Sequence, residues 1–368
     1  MDNSFGTIFK ITSFGESHGK VIGVIIDGVP AGLDFNLDLI QKELDMRKPG
    51  QSNFTTSRNE EDKVRLLSGV FNEKTTGAPI CLTIENKDIN SVPYEKFKKF
   101  LRPSHADYTA LIKFGGNSDY RGSGRFSGRV TAGFVIAGAL AKQILQKYNI
   151  TILAYTKSIG DIIDERDYSS YDYKELINLR KESLIRALDG EKSRLMEQLI
   201  IKVKNQKDSI GGTIKCIVKN FPKGKGGPIF NGLESVISKA IFSIPAIKGL
   251  EFGAGFKAAQ MKGSEHNDPW VIKDGKIQTM KNDAGGIIGG ISTGMPIEFT
   301  IVVKPTSSIG ISQKTVNIET NENVEIEFFG RHDPCIAPRV VPVVEAMTAV
   351  VLLDCLLIEG FIPRILKS

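Results

Sequence analysis

Short apolar runs alternate with glycine from Gly6 to Asp27, the pattern of strands joined by tight turns. Asp38 to Arg47, following the polar Asp34-Phe35-Asn36, reads as a helix. Leu66 to Phe71, Pro79 to Ile84 and Ser209 to Asn220 read as strands, and Gly232 to Phe242 as an amphipathic helix. Ser127 to Tyr148 is the clearest helix. Ala132, Gly133, Ala137, Gly138, Ala139 and Ala141 make it small on every side, which predicts burial close against other backbone. The most apolar stretch, Val340 to Ile358, carries Pro342, Glu345 and Asp354. Only eight residues separate the two acids, whereas a membrane span needs about 20 mostly apolar residues. A buried core helix is expected there.

Asp161 to Asp208 differs in character. It is rich in Lys, Glu and Asp, and Glu191 to Asn205 spaces Leu195, Leu199 and Val203 helically, so a solvated helical excursion on the surface is expected. One stretch repeats: Thr76 to Ile84 and Thr293 to Ile301 are identical at six of nine positions, each a turn feeding a strand. A shared turn type explains the echo, and so do two similar β-rich halves enclosing helices. Strands and helices come in blocks without a βαβ rhythm, which gives α+β as the fold class. No low-complexity linker divides the chain, so residues 1–368 are read as one domain.

Composition narrows the function. The apolar share is 41% and the charged share 24%, which excludes a disordered chain. Lys+Arg number 48 against 42 Asp+Glu, a net +6 with no concentrated basic stripe, so no nucleic acid partner is expected. A local arginine cluster for a small polyanion suits this balance better. Cys81, Cys216, Cys335 and Cys355 are far apart and without a CxxC pair, so they read as reduced thiols with no metal site. Met1 to Lys10 lacks the pattern of a signal peptide, and with no membrane span expected the chain is read as cytoplasmic.

The candidate chemistry lies in five polar, glycine-rich motifs. Three of the four histidines, His18, His105 and His332, fall within them. The first is Gly15-Glu16-Ser17-His18-Gly19, from which no serine hydrolase is read. The second is Arg102-Pro103-Ser104-His105-Ala106-Asp107. The third, Asp119 to Arg129, leads into the buried helix with arginines at 121, 125 and 129. Small residues admit an anion to backbone N–H groups, and arginine grips carboxylate or phosphate bidentately. If Arg125 and Arg129 lie on the helix start they share one face. The fourth motif, Ala284 to Gly294, leads through a strand to Lys304-Pro305-Thr306-Ser307-Ser308, where a cation and three hydroxyls suit a phosphate; Gly289 would let backbone lie against a flat ring. The fifth is Gly330-Arg331-His332-Asp333-Pro334 with Arg339 beyond. Arg47, in Arg47-Lys48-Pro49-Gly50-Gln51-Ser52, either complements a helix dipole or reaches an anion.

These motifs, in this order and at these separations, closely resemble the chorismate synthase family over nearly the whole chain. The resemblance implies a β-α-β sandwich, with long helices enclosed between antiparallel sheets. It implies a lyase that converts 5-enolpyruvylshikimate 3-phosphate (EPSP) to chorismate and phosphate by 1,4-elimination, in aromatic amino acid biosynthesis. It implies a homotetramer that needs reduced FMN without net redox change. Some relatives also reduce flavin with NADPH. With no GxGxxG signature here, an external flavin reductase is the expected electron source. Carried over by residue, His18 resembles the histidine that protonates the departing phosphate, His105 the one that handles the proton of the flavin, and Asp333 the aspartate that assists proton removal. Arg125, Phe126, Ser127, Ala246, Gly289, Lys304 to Ser308 (Pro305, Thr306 and Ser307 included) and Arg331 match flavin-contacting positions. Ser17, Arg47, Arg129 and Arg339 match substrate positions. Met46 and Asn53 stand where many relatives have arginine, Phe126 where serine is frequent, and Val130 where glutamate is.

Overall fold

The computed structural model describes residues 2–50, 61–87, 91–168, 170–327 and 333–366 of the 368. Two five-stranded antiparallel sheets carry the chain. Alternating apolar positions build the first from β1 (Ser4–Phe5), β2 (Lys10–Gly15), β3 (Val21–Asp27), β4 (Val64–Ser68) and β5 (Ile80–Glu85), in the order β1-β2-β3-β5-β4. The second contains β6 (Thr151–Ile159), β7 (Ile162–Ile163), β8 (Gly212–Lys219), β9 (Ile247–Phe252) and β10 (Ile297–Val303), in the order β9-β10-β8-β6-β7. The longer helices are α1 (Leu37–Arg47), α2 (Asp107–Phe114), α3 (Thr131–Gln146), α4 (Tyr173–Glu182), α5 (Gly190–Asn205), α6 (Leu233–Phe242) and α7 (Ala337–Ile358). α3 packs on β3 and β2, α7 packs on β6 and β8, and the two helices pack on each other. The fold is the expected α+β sandwich, with helices between sheets.

The small residues of α3 serve that contact. A Cβ on Gly138 would lie 2.2 Å from the Ala346 Cα of α7, and one on Gly133 would lie 3.1 Å from the Gly23 carbonyl of β3. Backbone therefore meets backbone on both sides of the helix. α7 is long and apolar enough to cross a membrane, yet 89% of its most apolar window is buried inside the protein. It is a core helix, as expected. Pro342 inside it has no N–H, so the Pro338 carbonyl one turn earlier lacks its helical donor. Arg186 Nη1 supplies one at 2.6 Å, and its Nη2 donates to the Met46 carbonyl at the end of α1.

Arg186 comes from the charged segment, which is more than a solvated surface. Leu153 and Tyr155 of β6 and Ile217 of β8 point away from the main core. There they form a second apolar cluster with Tyr168, Leu176 and Leu188. Arg180 is buried and pairs with Glu345 of α7. The face of α5 that packs is Ser193, Met196 and Ile200, while Leu195 is exposed. The expected Leu195-Leu199-Val203 stripe is thus rotated: Met196 and Ile200 join the main core, with Leu199 partly buried against it.

The echo is structural. Thr76 N donates to the Gly69 carbonyl and Thr293 N to the Gly286 carbonyl, seven residues back in each case. The two threonine hydroxyls make the same pair of contacts, to that glycine carbonyl and from the N–H two residues on. Each turn feeds the strand next to the edge of its own sheet, β5 or β10. The same turn thus leads into one strand of each sheet.

Candidate active site

A cavity of about 720 Å³ opens between the chain start, the loop from Ser104 to Ala106, the loop from Ser123 to Val130, the α6–β9 connection and the segment after β10. Small-molecule sites span about 300–1,000 Å³. Phe5, Ile11, Phe126, Phe134, Pro245 and Ile247 give it apolar walls. Arg125, Lys239, Lys248 and Lys304 also line it, with Asp2 the only carboxylate among the lining residues. Among the described residues no carboxylate lies within ion-pair distance of those four cations. The cavity therefore favours an anion with an apolar body.

Ser104, Ser123 and Ala246, all lining residues, sit at φ of +58°, +66° and +73°. Such backbone costs about 1–3 kcal/mol per residue and persists where the surroundings over-determine it, often at functional sites. Arg125 donates to the Gly15 carbonyl at 2.8 Å and the Ser13 carbonyl at 3.1 Å, neutral oxygens that leave its charge in place. Lys304 Nζ donates to Ser307 Oγ, and Thr306 Oγ1 is buried without a hydrogen-bond partner among the described residues.

His105 Nδ1 lies 2.9 Å from the Pro103 carbonyl, which can only accept, so Nδ1 carries the hydrogen. Nε2 of the neutral ring then accepts from Ser308 Oγ at 2.8 Å. Burial, with the charge of Arg102, holds the ring below its ordinary value of 6.5. Arg102 itself is buried and bidentate to Asp107, and donates to Ser123 Oγ at 3.0 Å, tying the second motif to the third.

His18 is buried against the third motif. Nδ1 lies 2.8 Å from Ser91 Oγ, and Tyr94 stands edge-on at 5.0 Å. Ser17 N donates to the Gly124 carbonyl at 3.2 Å. A Cβ on Gly122, which sits at φ +57°, would lie 2.3 Å from His18 Cδ2 and 2.8 Å from Ser17 Oγ. Gly15-Glu16-Ser17-His18-Gly19 does have the Gly-x-Ser-x-Gly spacing of a nucleophile elbow, but it joins antiparallel β2 and β3 rather than a strand and a helix. Fold context, not spacing, sets a hydrolase aside.

The arginines do not share a helix face. α3 begins at Thr131, and Gly122, Ser123 and Gly124 break the preceding loop with positive φ. Arg121 pairs with Asp119, Arg125 reaches the cavity, and Arg129 turns to Asp62. Asp62, at φ +48° and buried, bridges Arg129 and Arg47, the latter at 2.9 Å. Burial works to raise its carboxyl, and Arg47 and Arg129 outweigh it, leaving Asp62 below the usual range. Burial pulls Arg47 down to about 10, with Arg339 and Arg129 adding to the fall against Asp62. Arg339 Nε donates to the Arg47 carbonyl at 3.2 Å, and its Nη1 pairs with buried Asp333.

The sequence-derived residues thus fall into two neighbouring sets. His105, Arg125, Phe126, Ala246 and Lys304 to Ser307 line the cavity, with Ser308 held on His105. Ser17, His18, Arg47, Arg129, Arg339 and Asp333 do not line it: Ser17 and His18 meet Gly122 and Gly124, Asp62 joins Arg47 to Arg129, Arg339 joins Arg47 to Asp333, and Asn86 links Arg129 to the 16–19 turn. Ser127 caps the turn before α3 by accepting from Arg129 N at 3.3 Å. Gly289 is exposed at a Gly-Gly turn, away from the cavity lining. Arg331, His332 and Asn53 lie outside the described residues. Sequence reasoning missed Asp62, Lys239, Lys248, Ser91 and Tyr94. Only proximity in the fold distinguishes them from ordinary surface and loop residues.

The family model for chorismate synthase matches residues 9–357. The chain is similar to the chorismate synthase of Dehalococcoides mccartyi, at 50% identity over 368 residues and 100% of both chains. It is similar to that of Methanocaldococcus jannaschii, at 51% over 371 residues, 98% of this chain and 97% of the relative. A crystal structure of chorismate synthase matches with a TM-score of 0.74 at 29% identity, covering 96% of this chain and 93% of that one.

Proposed function

The chain belongs to the chorismate synthase family, lyases that eliminate phosphate from EPSP, and from that premise we propose that it makes chorismate by a 1,4-elimination that requires reduced FMN. The observation that carries the cofactor is the cavity. Apolar walls suit the flavin ring, while unpaired cations and the buried Thr306 hydroxyl suit its phosphate. Arg125, Phe126, Ala246 and Lys304 to Ser307 from the lining, with Ser308 beside His105, would hold it. When bound, reduced FMN supplies reversible electron donation that no side chain offers.

The protein's own groups have the following roles. Arg47, Arg129 and Arg339, with Ser17, bind a substrate that carries a phosphate and two carboxylates. His18 gives a proton to the departing phosphate, whose charge rises as its bond breaks. His105, held neutral with its hydrogen on Nδ1, presents Nε2 and Ser308 to the cavity. Asp333, oriented by Arg339, assists removal of the substrate proton. The chain works as a single-domain, cytoplasmic homotetramer, fed by a separate flavin reductase.

Anaerobic mixing with EPSP and chemically reduced FMN is expected to release phosphate and chorismate in equal amounts. Folded protein that releases none would refute the reading. NADPH with free FMN is expected to give no oxidation of NADPH; steady consumption would refute the external source. His18→Ala and His105→Ala are expected to lose turnover far more than substrate affinity, and near-normal rates would remove their roles. Light scattering that returns the mass of one subunit would refute the tetramer.

A further inference from the structure

Lys248 is one of the four cations of the cavity and has no individual role in the reading above, yet the backbone is bent to present it. β9 pairs with β10 through Ile247 opposite Val303 and Gly249 opposite Val302, which leaves Lys248 as the extra residue of a β-bulge. A bulge breaks the alternation of a strand and re-aims one side chain. Just before it, Ala246 sits left-handed, and its carbonyl accepts from Lys304 N at 3.0 Å. The bulge and the strained alanine place Lys248 and Lys304 on the lining of one cavity. Burial, and then the charge of Lys248, lowers the Lys304 ammonium pKa. Two cations close together without a carboxylate partner among the described residues make a site that a dianion would relieve. Thr306, with its buried hydroxyl, lines the same cavity.

We propose that Lys248, together with Lys304, binds a phosphate monoester dianion at this end of the cavity and sets the preference for phosphorylated over dephosphorylated flavin. The inference rests on the flavin reading of the cavity. Both FMN and EPSP carry such a phosphate, so the test separates them.

Full-length wild type, Lys248→Gln and Lys248→Arg are titrated with FMN and with riboflavin by fluorescence. KM for EPSP is measured at saturating reduced FMN. Loss of one charge-assisted contact is expected to weaken FMN about ten-fold in Lys248→Gln while riboflavin stays within about two-fold, with Lys248→Arg recovering most of the loss. KM for EPSP is expected to stay unchanged. Equal losses for both flavins, or none for either, would overturn the assignment. So would a raised KM for EPSP with FMN affinity intact, which would give the dianion site to the substrate. Wild type that binds neither flavin would sink the cavity reading itself, and the lysine with it.

Discussion

Single residues set the chemistry of this site through what their neighbours forbid. The Pro103 carbonyl fixes the tautomer of His105, and burial beside Arg102 keeps the ring neutral. The pH consequence has a definite sign. The unfolded histidine takes its proton near 6.5, and the folded one only at lower pH. Between those values the unfolded chain binds more protons, so stability falls as pH drops below the ordinary value. Lowering the pH from about 7 to about 5.5 is expected to reduce the urea midpoint of wild type more than that of His105→Asn. Equal reductions would mean that the ring titrates normally. Gly122 acts by absence. Its missing side chain lets His18 and Ser17 close on the loop, at a φ that favours glycine. Gly122→Ala is expected to cost about 1–3 kcal/mol of stability, and at least about ten-fold in turnover if His18 moves out of place. Full anaerobic activity in that variant would show that His18 does not need this approach.

At the scale of elements, the structure satisfies its backbone in places where the helices cannot. The Asp354 carboxylate of α7 accepts from the N–H groups of Thr7, Ile8 and Phe9 at 2.7–2.8 Å, pinning the turn that opens the first sheet. The Glu345 carboxylate of the same helix accepts from Lys142 and Arg180, binding α3 and α4 to the core. The sequence showed these acids only as interruptions that argued against a membrane span. Arg186 and Pro342 form a pair of a different kind. The proline leaves the Pro338 carbonyl without its helical donor, and the arginine replaces that donor. Arg186→Met is expected to cost about 1–3 kcal/mol. The cost should shrink by about 0.5–1.5 kcal/mol in a Pro342→Ala background, where a backbone N–H returns. A double-mutant cycle by urea denaturation measures this, and strict additivity would mean that the two residues are not coupled.

The whole molecule brings separate basic residues together around one cavity. Net charge is only +6, yet Arg125, Lys239, Lys248 and Lys304 converge there from distant parts of the chain. Screening should act on this convergence. Raising ionic strength from about 0.05 M to about 0.5 M is expected to weaken FMN binding much more than riboflavin binding. Equal salt slopes for the two ligands would show that the cavity field does not act on the phosphate.

Much of this protein was legible along the chain. Period and composition marked the strands, the α3 helix that meets backbone on both faces and the apolar α7, because burial imposes its spacing on sequence locally. The repeated nine residues marked a turn feeding a strand in each of two places, and the five motifs marked where the polar chemistry lies. Other features were decided only by tertiary contact. The buried stripe of α5, the separate destinations of Arg121, Arg125 and Arg129, and the bridging role of Asp62 follow from what lies opposite each side chain. Lys248 reads as an ordinary strand residue until the register of β9 against β10 makes it the bulge. Local spacing tells which face of an element is apolar; only the packed fold tells what each charge meets, since a charge acts through space rather than along the chain.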